Sequence, residues 1–140
     1  MGLGRAVTVV VVLAGLLGGC GGTPRPQDQV RAKVEQFAHA AARRDYTEIC
    51  DQVLSIALLE RVAASGISCQ AEMQLTLGGV SHPVLSIGRV KVSGATAAVI
   101  TLSLAKGQQA SLAEIDLTLE SEGWRISALG SGSKSGPLGR

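Results

Sequence analysis

The feature that most constrains the fold of this chain is a change in apolar spacing near His82-Pro83. Before that point apolar residues recur at helical intervals; after it they recur at every second position. From Gln27 to Arg44, Val30, Val34, Phe37, Ala38 and Ala41 share one face of a helix, with Arg31, Glu35, His39 and Arg43 away from its centre. His39 therefore reads as a solvated side chain. Asp45, with Glu48 three residues on, forms a capping-box-like restart. Ile49, Val53 and Ile56 then continue the apolar stripe. Ser55 and Ser68 are placed to cap two short helices, Ile56 to Ala64 and Cys69 to Leu77, the second closed by Gly78-Gly79.

The second half predicts a strand meander. Leu85, Ile87, Val90 and Val92 make one strand, with a phase slip at Gly88 that signals a bulge. After a turn at Ser93-Gly94, Ala98, Ile100, Leu102 and Leu104 are expected inside the second strand. Ile115, Leu117 and Leu119 are expected inside the third, and Trp124, Ile126 and Ala128 inside the fourth. The connections, a polar loop at Lys106 to Gln109 and a turn at Ser121-Glu122-Gly123, are short enough for antiparallel pairing. Helices followed by a run of strands predict an α+β fold, with a long N-terminal helix and short helices packed on a four-stranded antiparallel sheet.

The N-terminus has the composition of an export leader. Arg5 supplies positive charge, Ala6 to Leu17 is uncharged and apolar, and two glycines precede Cys20. The apolar run is shorter than the roughly 20 residues a spanning helix needs. Leu17-Gly18-Gly19-Cys20 resembles the lipobox of bacterial lipoproteins. The resemblance implies a signal peptide over residues 1–19, lipidation of Cys20 and a membrane partner reached through its acyl chains. It also implies a place at the cell membrane, on the extracytoplasmic face. Residues 20–27 then read as a flexible tether and residues 131–140, rich in Gly and Ser, as a disordered tail.

With Cys20 assigned to the anchor, Cys50 and Cys69 remain, and in an exported chain such a pair reads as a disulfide. A metal site would need four ligands, for which only His39 and His82 could join the two thiols, so no metal and no cofactor is expected. The 13 basic and 11 acidic residues fall to 12 against 11 when Arg5 leaves with the leader, and no basic patch points to nucleic acid.

The element order resembles the nuclear transport factor 2-like superfamily over residues 28–130. Val34 to Asp45-Tyr46 matches its long helix ending in a charged turn, and Trp124-Arg125-Ile126 its frequent final strand. The resemblance implies a curved sheet wrapped around the first helix as a cone with an internal cavity. It also admits two classes of activity, non-catalytic binding modules and isomerase-, cyclase- or hydratase-like enzymes. The enzymes set Asp, His or Tyr into the cone. Here the inward register is Ile, Leu, Val and Ala, with Asp116 on the outer register, so catalytic residues are not assigned. Tyr46 and Trp124 are the candidates near a cavity mouth, each with a competing role in packing. The sequence thus favours a membrane-anchored envelope lipoprotein of binding or interaction type, with an envelope protein or a small apolar ligand as its further partner. An enzyme acting on a small apolar molecule is the alternative.

Overall fold

The computed structural model describes residues 21–130. Helix α1 runs over Pro26–Arg43, with Pro26 in its first turn, where a missing amide hydrogen costs nothing. Asp45 accepts a hydrogen bond from the Glu48 amide at 2.9 Å and opens the short helix α2, Tyr46–Glu48. A five-residue π-turn, Ile49–Val53, follows, closed by the Leu54 amide donating to the Ile49 carbonyl. The wider turn brings Ile49, Cys50 and Val53 inward together. Helices α3 (Ile56–Ala64) and α4 (Cys69–Leu77) are capped by Ser55 and Ser68, as the sequence predicts. The stripe does not extend to Ile56, which is 63% exposed: Leu54 and Ser55 are extended and break the helix before it.

Strands β1 (Val84–Ser93), β2 (Thr96–Leu104), β3 (Ser111–Glu120) and β4 (Gly123–Leu129) form one antiparallel sheet in chain order. The described residues thus form an α+β fold of four helices and a four-stranded sheet. α1 packs on β1 and β4, and α3 packs on β4. The core between the layers holds Val30 and Val34 of α1, Ile49, Val53 and Leu54, and Val99, Ile115, Leu117, Trp124 and Ile126 of the sheet.

Two strands depart from the expected facing. In β2 the buried set is Ala97, Val99 and Thr101, whereas Ala98, Ile100, Leu102 and Leu104 lie on the opposite face. The turn is Gly94-Ala95, with Gly94 at φ +57°, so Ser93 pairs with Thr96 and Val92 with Ala97. Val92 packs on the core and takes Ala97 with it. The pairing of Ala97 with Leu117 and Val99 with Ile115 fixes the same face from the other side. Register moves whole faces, so one residue at a turn inverts the strand. In β4 the pairing steps from Leu117–Ile126 to Asp116–Ala128, a bulge at Ser127. Leu129 rather than Ala128 therefore packs on the core.

Two cations satisfy the carbonyls at the end of the π-turn. Lys33 Nζ donates to Gln52 O at 2.9 Å and to Gln36 Oε1 at 2.8 Å. Arg125 donates to Asp51 O at 3.0 Å. Carbonyls at a helical C-terminus lack intrahelical partners, and these side chains supply them. The arrangement holds Lys33 below the ordinary lysine range, first through burial and then through the neighbouring Arg125, with Glu48 acting in opposition.

Candidate binding site

The inner face of the sheet changes character along the strands. Next to the β3–β4 turn stand Leu119 and Trp124, then the row Val92, Ala97, Leu117 and Ile126, then Val90, Val99, Ile115 and Leu129. Further along come Ile87, Thr101 and Ala113, and finally Leu85, Ser103 and Ser111. Large aliphatic side chains give way to hydroxyls. Thr101 is 1% exposed and its hydroxyl donates to the Ala113 carbonyl at 3.3 Å, which makes its burial tolerable.

The end of α1 also carries small residues. Ala38 and Ala41 come to line one wall of a cavity whose sheet wall includes Ser103 and Ser111. Facing small side chains cannot close the space between the layers, and a cavity of about 180 Å³ results. Phe37, Leu77, Val80 and Leu85 supply its apolar walls, and Gln108 and Gln109 stand at its lip. Next to the lining residues Val80 and Ala105, the Lys106 amide donates to the Ser81 carbonyl at 3.0 Å and ties the two loops together. Among the described residues no Asp, Glu, His, Lys, Arg, Cys or Tyr lines the space. Ser103 and Ser111 make no side-chain hydrogen bond to the protein among the described residues, and neither do Gln108 and Gln109.

The residues singled out in the sequence lie elsewhere. Cys20 and the leader fall outside the described residues, as does the tail 131–140. Cys50 and Cys69 form a disulfide with a Cα–Cα distance of 6.0 Å. It joins the π-turn to the first residue of α4, the helix that carries Leu77 into the cavity wall. Tyr46 is half-buried against the core. Trp124 is 4% exposed and packed in the core. Neither borders the cavity, which opens at the β1–β2 strand ends rather than at α2 or β4. Asp116 sits on the outer face in one row with Lys91 and Ala98, matching its expected register. His39 and His82 are exposed.

The sequence gives these residues places in helices, strands and a loop but does not signal the cavity, because small side chains carry no chemical signature. The signal available was the Ala-rich end of α1, Ala38 and Ala40 to Ala42, opposite serines in the strands. Among the described residues no group of three His, Cys, Asp or Glu side chains could hold a metal ion. No helix of the described residues is long and apolar enough to cross a membrane.

No family model matches the sequence, and no curated protein matches it. Among solved structures the chain is similar to the Kfla4162 protein from Kribbella flavida, with a TM-score of 0.50 and 13% sequence identity. The similarity covers 77% of this chain and 90% of that one. At this identity the two share a fold, an α+β arrangement of helices on an antiparallel sheet.

Proposed function

We propose that this chain is an exported lipoprotein, acylated at Cys20, whose nuclear transport factor 2-like domain is a non-catalytic module that binds a small apolar ligand outside the cytoplasm. The observation that carries the binding half is the cavity of about 180 Å³, apolar in its walls and, among the described residues, free of titratable side chains in its lining. Proton transfer needs a positioned acid or base, and this lining offers hydroxyls and carboxamides only. The export half rests on the lipobox-like Leu17-Gly18-Gly19-Cys20 and is supported by the Cys50–Cys69 disulfide, a bond at home in oxidising compartments.

Metabolic labelling with palmitate tests the anchor. Label is expected in the wild-type chain in the membrane fraction and absent from Cys20→Ala. Unlabelled wild-type protein with its leader intact in the cytosol would overturn it. For the binding half, Ala41→Leu is expected to abolish uptake of an apolar probe such as xenon, seen in methyl NMR spectra of Leu77 and Leu85, without unfolding the chain.

A further inference from the structure

We infer that the cavity is built for an uncharged amphiphile: an apolar body of about six carbons with a neutral head that both donates and accepts hydrogen bonds. The inference rests on the binding reading above and names its ligand class.

Size sets the body. A dry cavity of about 150 Å³ admits benzene, and this one measures about 180 Å³. One ring or a short stretch of one alkyl chain fits against Phe37, Leu77, Val80 and Leu85.

The polar groups set the head. Ser103 and Ser111 are direct cross-strand partners on the inner face, so their hydroxyls stand side by side on the cavity wall. One row deeper, Thr101 engages the Ala113 carbonyl. The two serines have no such partner among the described residues, and the Gln108 and Gln109 carboxamides at the lip are likewise uncommitted. Each of these groups can donate and accept. An alcohol or a primary or secondary amide head would find complementary partners there.

Charge is excluded on both sides. Among the described residues no Lys, Arg or His lines the cavity to meet a carboxylate, and no Asp or Glu lines it to meet an ammonium. An ion entering would lose hydration without a counter-charge. A hydroxyl exchanges water for serine and glutamine.

The test is a titration of the full chain, disulfide intact, with 1-hexanol, 1-pentanol, hexanoate, hexylamine and xenon. Methyl resonances of Leu77, Val80 and Leu85 give the readout. Hexanol is expected to shift all three and to bind about fourfold tighter than pentanol, the ratio for one buried methylene. Hexanoate and hexylamine are expected to bind at least tenfold more weakly. The double variant Ser103→Ala, Ser111→Ala should weaken hexanol about tenfold without weakening xenon binding. Hexanoate or hexylamine equal to hexanol, or hexanol unaffected by the double variant, would overturn the ligand class while leaving an apolar site in place. Failure of xenon and hexanol alike would overturn the binding reading itself.

Discussion

The two ends of the sheet interior are built on different principles. Around Trp124, Leu117 and Ile126 the space is filled by large aliphatic and aromatic side chains, and the outer face there carries Lys91 and Asp116. At the other end the interior presents Ser103 and Ser111, Val84 and Leu104 reach the cavity rim, and Ile100 and Leu112 stand exposed on the outer face. One end is a dry core under a polar surface. The other sets hydroxyls among apolar cavity walls and leaves Ile100 and Leu112 exposed outside. Burial of large side chains at the filled end stabilises the fold more than the small residues facing the cavity do.

Substitutions can break or sharpen this contrast. The largest effect is expected at the filled end: Leu117→Ala should destabilise by about 3–4 kcal/mol, as for other buried leucines. Ser111→Ala, at the open end, should stay within about 0.5 kcal/mol. Equal losses in urea unfolding would erase the distinction. Next comes the disulfide. Its loop of about 20 residues predicts that Cys50→Ser with Cys69→Ser costs about 3 kcal/mol. The added expectation is local: amide exchange should accelerate most in α4, the wall of the open end. Uniform acceleration through β3 and β4 would contradict it.

A smaller effect separates the two faces of β2. Val99→Thr puts a hydroxyl into the core and should cost about 1–2 kcal/mol. Ile100→Thr, at a position 37% exposed, should cost under about 0.5 kcal/mol. A reversal would mean that the strand faces the way the apolar pattern suggests. The smallest effect concerns Lys33. Its ammonium is disfavoured in the fold, so the unfolded chain binds more protons in the alkaline range just below the ordinary lysine value of 10.5. Stability from this group therefore rises as pH rises through that window. Lys33→Met should remove this rise in a series of melting temperatures.

Much of the architecture was legible in the residues. Ser55 and Ser68 marked the starts of α3 and α4 because a hydroxyl before an apolar run has few other uses. Gly88 marked the bulge in β1 through its break in phase, and the pairing does slip between Ile87 and Val90. The face of β2 was not legible from hydropathy. Its more apolar half, Ile100, Leu102 and Leu104, points outward because the Gly94-Ala95 turn and the pinned face of β3 decide the register. The π-turn was hidden as well, since its carbonyls are satisfied by Lys33 and Arg125 from elements distant in sequence. The cavity was harder still. It arises from what Ala38, Ala41, Ser103 and Ser111 lack, and absence of bulk has meaning only once the layers face each other.

The bond from the Lys106 amide to the Ser81 carbonyl draws two loops together at the cavity lip using main-chain atoms alone. Exchanging side chains at either position leaves that drawstring tied. Adding or deleting one residue between β2 and β3 would retie it at another width. Relatives of this chain could therefore retune the girth of what they admit through loop length, with every side chain of the inner walls untouched.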